Sequence, residues 1–349
     1  MSGTHRPLRL AINGYGRIGR CFLRAIQESP LGEHFQVVAI NEPADLPSIT
    51  YLTRFDSTHG RFPGTVAEAE GGLQIDGRFI PVTHADTPEG VDWKGMDIDL
   101  VVECSGQYSS REQLARFIAA GCPRLLLAHP ANSAEDVDAT VVFGINQQQL
   151  AGNEVIVSNA SCTTNAVVPV LQLLDDELGI EHGLLTTLHS VMNDQPLIDG
   201  YHHADLRRTR SAMQSIIPVS TGLARGVERL LPQLAGRIQA KAIRVPTFNV
   251  SAIDVALQVR QDVTAEAVND LLCAAAKEGP LKGLLACSHE PHASVDFNHD
   301  PHSAIVDAGQ TRVSGGRLVN LLVWFDNEWG FANRMVEVAH HWLRTAAKL

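Results

Sequence analysis

The sequence predicts an α/β protein: a doubly wound parallel sheet, then a second α+β domain of mostly antiparallel sheet. Three observations carry this. A strand, a glycine-rich turn and a helix stand together near the N-terminus; β and α patterns alternate to about residue 157; beyond it, strands follow one another with helices added. A chain of 349 residues suits two domains of ordinary size, each with its own core.

Leu8 to Ile12 is a short β-type run, followed at once by Asn13 to Arg20, Asn-Gly-Tyr-Gly-Arg-Ile-Gly-Arg. Cys21, Phe22, Ala25 and Ile26 then recur at helical spacing. This is the setting in which G-x-G-x-x-G has meaning. Gly14 allows the tight turn, Gly16 lets a pyrophosphate approach the backbone, and Gly19 lets helix pack on strand, which makes the sheet Rossmann-type. A second strand, Phe35 to Ile40, ends at Asn41-Glu42. Glu42 lies about 20 residues past the glycines, where a carboxylate receives a ribose hydroxyl pair. It repels a 2′-phosphate, so NAD is expected rather than NADP.

Pro63-Gly64, Gly71-Gly72 and Asp76-Gly77 read as hairpin turns in an insertion on the sheet. Ile98 to Glu103 is a buried strand ending at Cys104-Ser105-Gly106, small residues that suit the cofactor crevice. Arg111 to Ala120 reads as a helix, and Arg124 to Ala128 and Val155 to Val157 as strands.

Ser158 to Asn165, Ser-Asn-Ala-Ser-Cys-Thr-Thr-Asn, separates that last strand from a helix read over Val167 to Leu178, with Gly179 at the C-cap position. Cys162 therefore sits near a helix N-terminus, where unpaired N–H groups and the dipole favour a thiolate. Such a setting brings a thiol from about 8.5 toward neutrality. Most free cysteines are small buried hydrophobes; the polar neighbours Ser161, Thr163, Thr164 and Asn165 argue for a nucleophile and offer donors for an anion. A strand from Gly183 to Ser190 carries His189, the base that a cysteine nucleophile needs.

Residues 191–222 form a long polar segment of the kind that is usually functional. Arg207, Arg208 and Arg210 in an otherwise acidic chain, with Ser220-Thr221-Gly222 closing the segment, read as a phosphate or interface site. Strands follow at Ala240 to Arg244, Asn249 to Val259 and Leu318 to Trp324, with Val263 to Ala275 and Gly279 to Leu285 as helix and turn. From Phe331 to Leu349, Met335, Val338, Ala339, Trp342 and Ala346 share one helical face that packs on the protein.

The net charge of −11 argues against nucleic acid as a partner. No window of about 20 apolar residues spans a membrane and Met1 to Arg9 has no apolar leader core, so a cytoplasmic protein is expected. Six cysteines show neither C-x-x-C nor metal-ligand spacing, which predicts reduced thiols and no metal.

Together, Asn13 to Arg20, Ser158 to Asn165, His189, Arg244 to Thr247 (Arg-Val-Pro-Thr) and Trp324 to Gly330 (Trp-Phe-Asp-Asn-Glu-Trp-Gly) resemble the glyceraldehyde-3-phosphate dehydrogenase superfamily along nearly the whole chain. His189 to Gln195 and Asp296 to Asp307 look most like its bacterial erythrose-4-phosphate dehydrogenase branch. The resemblance implies Cys162 as nucleophile and His189 as base. It places Arg244 on the substrate phosphate, and Ser161, Thr163, Arg208, Thr221 and Gly222 at a second anion site. Arg17 and Ile18 would hold the pyrophosphate and Asn327 the nicotinamide amide. It also implies a phosphorylated aldehyde substrate and a homotetramer with segment 191–222 at a subunit contact. The division would be an NAD-binding domain over residues 1–161, a catalytic and oligomerisation domain over 162–325, and a C-terminal helix over 326–349 returning to the first. Met192 departs from the threonine usual in phosphorylating members, Glu42 from an aspartate, and Ala166 from a cysteine; Thr221-Gly222 keeps the glyceraldehyde-enzyme form.

Overall fold

The computed structural model describes residues 6–203 and 205–348. Most of the leader reading thus falls outside the described residues, as do Ala204 of segment 191–222 and Leu349 of the C-terminal helix. The chain divides into two compact units, residues 1–161 with 332–349, and residues 162–331.

The first unit contains β1 (Leu8–Asn13), α1 (Arg17–Glu28), β2 (Phe35–Asn41), α2 (Leu46–Arg54), a two-stranded ribbon of β3 (Phe55–Asp56) and β4 (Gly60–Arg61), β5 (Val66–Ala69), β6 (Gly72–Ile75), β7 (Arg78–Thr83), β8 (Leu100–Glu103), α3 (Arg111–Ala119), β9 (Leu125–Leu127), β10 (Ala139–Thr140) and β11 (Ile156–Ser158). Its nine-stranded sheet runs β10-β11-β9-β8-β1-β2-β7-β6-β5. Pairing is parallel from β10 to β7, and only the β5-β6-β7 meander is antiparallel. The strand order reverses between β1 and β8, so the carboxyl ends of these strands open a crevice. Gly71 and Gly77 turn the meander as expected; Pro63-Gly64 instead leads into β5 rather than closing a hairpin. Leu114 and Phe117 of α3 pack on Val101, Leu125 and Ile156, with Trp93 closing the same core.

The second unit contains α4 (Cys162–Leu178), β12 (Ile180–His189), β13 (Ile217–Val219), α5 (Leu223–Leu230), β14 (Ile238–Arg244), β15 (Ser251–Val259), α6 (Ala265–Lys277), β16 (Leu285–Ser288), β17 (Ala304–Asp307), β18 (Arg312–Ser314) and β19 (Leu318–Phe325). Its sheet order is β13-β14-β12-β15-β19-β17-β16, with β18 against β19. The pairing is antiparallel except for β12 with β14 and β16 with β17. Along β19 every second residue is buried, the period-2 signature of a half-covered sheet. Helix α4 packs across β15, β17 and β19. It begins at Cys162, five residues before the apolar pattern, because Cys162 to Ala166 form a helical turn whose polar side chains conceal it. Strands β16 to β18 escaped the sequence reading; each is only three or four residues long.

Among its described residues, segment 191–222 holds a 3-10 turn at Leu206–Thr209 and the short β13; ion pairs Arg208–Asp194 and Arg210–Asp199 tie it together. The expectation of six reduced cysteines is corrected: Cys273 and Cys287 are joined by a disulfide. They lie 14 residues apart, and α6 with its following turn brings them together, so no short spacing announces the pair.

The last helix, α7 (Trp329–Ala346), starts in the second unit and carries residues 332–346 into the first. Met335, Val338, Ala339 and Trp342 are fully buried, and the backbone of Ala346 closes against Gly152. Among the described residues no helix is long and apolar enough to cross a membrane. Removing the largest side chain on this face leaves a cavity that rigid neighbours cannot fill, so Trp342→Ala should lower stability by about 3–5 kcal/mol. Urea unfolding followed by circular dichroism measures this; a loss below about 1 kcal/mol would show that the face is not core.

Candidate active site

In the first unit, a cavity of about 210 Å³ lies at the carboxyl ends of β1, β2 and β8, lined by Gly14, Gly16, Glu42 and Ser105 among others. Gly14 has φ +82° and no room for a Cβ, which would fall 2.4 Å from the Ser105 nitrogen. By contrast, the space over Gly16 is open, leaving its backbone accessible to a ligand. Gly16 caps α1 without a side chain, so Arg17 and Ile18 open the helix with backbone N–H groups aimed at an anion. The Arg17 guanidinium is paired with Asp56 at 2.6 Å. Burial alone would raise the Asp56 carboxyl, but N–H groups of His59 and Thr58 together with Arg17 hold it at about 2. The Arg17 guanidinium is thus committed to Asp56.

Glu42 is held at the rim by N–H groups of Tyr15 at 2.7 Å and Ala44 at 3.2 Å. Each carboxylate oxygen keeps acceptor capacity for a ribose diol. A polar network supports the floor. Fully buried Glu103 accepts from Asn13 Nδ2, from the Ser105 hydroxyl and from the Ser105 N–H at 2.7 Å, while Asn41 donates to Asn13 Oδ1 at 2.8 Å. Burial pushes the Glu103 carboxyl up. Ser105 therefore spends its hydroxyl proton inside the protein and shapes the cleft through its backbone. Asn13, Asn41 and Glu103 were not read as site residues. Their signal was there: each is the polar residue that ends an apolar strand, β1, β2 or β8.

The turn between β11 and α4 passes through Ala160 at φ +57°, a left-handed conformation that costs a non-glycine residue about 1–2 kcal/mol. Two residues later Cys162 opens α4. Its Sγ lies 3.7 Å from His189 Nε2. His189 ends β12, and the parallel register sets Arg244 directly beside it at the end of β14. Nδ1 of His189 is 2.8 Å from the Ser190 carbonyl oxygen and 2.5 Å from Arg244 Nη1. A proton on Nδ1 donates to Ser190 and leaves the Nε2 lone pair facing a thiol. A proton on Nε2 instead gives a thiolate a donor and lets Nδ1 accept from Arg244. One imidazole can thus serve both states of the sulfur by changing tautomer.

Burial pushes the Cys162 thiol up to about 11, against the pull of Arg244 and the Thr163 N–H. Burial and the Arg244 charge bring His189 down to about 4. The resting pair is a neutral thiol facing a neutral imidazole. This corrects the expectation of a thiol brought near neutrality: the helix N-terminus is present, but desolvation of the sulfur outweighs it.

The other predicted positions divide. Thr163 follows Cys162 in the first turn of α4, and Ser161 precedes it in the chain. Thr221 caps α5 by accepting the Leu223 N–H at 3.1 Å, with Gly222 at the N-cap. Arg208 is not an open cation: Asp194 pairs with it at 2.9 Å and Asp205 lies at 4.0 Å. Asn327 accepts from Ser190 and Ser251 hydroxyls at 3.0 and 2.8 Å, which leaves its NH2 end to donate.

Residues 8–111 match the NAD binding domain of glyceraldehyde 3-phosphate dehydrogenase, and residues 161–327 match its C-terminal domain. The chain belongs to the glyceraldehyde-3-phosphate dehydrogenase superfamily. It is an NAD-dependent oxidoreductase of that superfamily, acting on a phosphorylated sugar aldehyde. The cavity fits this cofactor: open backbone at Gly16 for the pyrophosphate and a held carboxylate at Glu42 for the ribose.

A neutral pair makes sulfur reactivity rise with pH. His189, down at about 4, stays neutral from pH 6 upward, while the thiolate fraction grows until about pH 11. Alkylation of Cys162 by iodoacetamide, followed by mass spectrometry, should accelerate about tenfold per pH unit between pH 7 and 9. A plateau below pH 8 would show an ion pair instead.

Proposed function

We propose that this member of the superfamily oxidises D-erythrose 4-phosphate to 4-phosphoerythronate, with water releasing the thioester. The observation that carries the chemistry is the 3.7 Å approach of Cys162 Sγ to His189 Nε2, with Arg244 at the same imidazole. His189 takes the thiol proton as sulfur adds to the aldehyde carbon, and returns it to the carbonyl oxygen to give a thiohemiacetal. The Cys162 N–H at the start of α4 and the imidazole are donors for the oxygen as its charge develops. His189 then removes the hydroxyl proton as the C–H bond gives up its hydride, leaving a Cys162 thioester. NAD, when bound, accepts that hydride, and the Asn327 NH2 group is the candidate donor to its nicotinamide amide. His189 releases the hydroxyl proton to solvent and then deprotonates a water that adds to the thioester; Cys162 takes that water's proton from the imidazolium as it leaves as the thiol.

Two features bear on the anion sites, and the second supports hydrolysis over phosphorolysis. Met192 offers a thioether where a hydroxyl would donate to phosphate, so Arg244 is left as the main substrate-phosphate ligand. Arg208 has its charge already met by Asp194, which weakens any second site for inorganic phosphate. The match of His189 to Gln195 and Asp296 to Asp307 to the erythrose branch supports the four-carbon substrate, and with it a place in pyridoxal phosphate synthesis. Thr221-Gly222 at the start of α5 favours the second reading, a phosphorylating glyceraldehyde-3-phosphate dehydrogenase of glycolysis. Leu197, Ile198, Tyr201, Leu206 and Ile216 are exposed on segment 191–222. Apolar surface of that kind supports burial against further copies of the chain as a homotetramer.

NADH formation with erythrose 4-phosphate and with glyceraldehyde 3-phosphate, each with and without phosphate, separates the readings. Phosphate-independent turnover of the four-carbon substrate is expected; strict phosphate dependence overturns the proposal. Cys162→Ala should lower kcat by at least about 10⁴-fold. NAD affinity measured by calorimetry should stay within about twofold, because the cavity around Glu42 is built from other residues. Equal loss of both would remove Cys162 from the role of nucleophile.

A further inference from the structure

Cys273 on α6 and Cys287 on β16 are joined across Cα atoms 5.3 Å apart. His289, one residue past β16 and exposed, places Nε2 3.8 Å from the Cys273 sulfur. The ligand atoms of the three lie within 4.8 Å of one another, and none belongs to the catalytic pair. In the oxidised state the imidazole can do no more than donate to a disulfide sulfur, which carries no proton to share. Two thiolates and an imidazole, however, are a donor set that zinc prefers.

The geometry points to a three-ligand Zn²⁺ site, formed by Cys273 Sγ, Cys287 Sγ and His289 Nε2 once the disulfide is reduced, with solvent in the fourth position. A tetrahedral zinc with bonds of about 2.3 Å holds two sulfurs about 3.8 Å apart. From a pair already bonded, this requires only side-chain rotation. The scaffold does not depend on the S–S bond: α6 packs on β16, and β16 is hydrogen-bonded to β17 over four residue pairs. A dithiol supplies the two electrons and two protons. Its own thiols become a disulfide, the Cys273–Cys287 bond breaks, and two S–H groups form. Zinc then displaces both protons to solvent without changing oxidation state.

The test uses the full-length protein carrying Cys162→Ser, so that the active-site thiol takes no metal. Zinc is counted by atomic absorption before and after treatment with a dithiol and desalting under nitrogen, and affinity is read by competition with a chromogenic chelator. One zinc per chain is expected after reduction and none before. Adding His289→Ala, an exposed change that leaves the core intact, should weaken binding at least about tenfold, and adding Cys287→Ser by about 100-fold or more. No zinc retained by the reduced protein overturns the proposal. So does zinc that is equal before and after reduction, or unmoved by both substitutions.

Discussion

The catalytic half of this molecule depends on one imidazole being shared. His189 faces the sulfur of Cys162 with Nε2 and the guanidinium of Arg244 with Nδ1, so the two neighbours compete for its protonation state. A permanent cation at 2.5 Å makes an imidazolium costly, and burial adds to the cost. The site therefore rests uncharged at sulfur and ring and concentrates its positive charge on Arg244. The protonation of the ring is thus tied to the position of a single neighbouring side chain, Arg244.

That arrangement is a product of strand register. His189 and Arg244 are 55 residues apart, yet parallel pairing of β12 and β14 makes them direct neighbours. A slip of one residue would turn one of them to the opposite face of the sheet. The sulfur arrives from a different direction, at the start of a helix entered through a left-handed alanine. Three local conformations, each settled by its own backbone hydrogen bonds, converge on a space a few ångströms wide.

Much of this was legible in the sequence. The glycine turn with its strand and helix, the alternation that builds the parallel sheet and the paired Cys162 and His189 are residue patterns with direct physical meaning. Long strands such as β12, β15 and β19 were readable because burial on one face writes a period of two. What could not be read is what burial does to charge. The N-terminus of α4 was visible around Cys162, but the burial that opposes it is a property of the folded chain and not of the local sequence. Likewise the pairing of Arg208 with Asp194 is made by the fold and was not legible in the sequence. The Glu103–Asn13–Asn41 network was hidden because its members are strand ends dispersed over 90 residues, from 13 to 103. Strands β16 to β18 are too short for periodicity to emerge.

Among the described residues no strand follows β16 in its sheet, and an isolated backbone bridge between Leu285 and Lys282 meets part of its outer row. Such a row is a template for another chain to add to. Here α6 packs against β16 and is covalently anchored to it through Cys273 and Cys287. The anchor thus fixes a helix to the end strand of the sheet, and severing it leaves that attachment to packing alone.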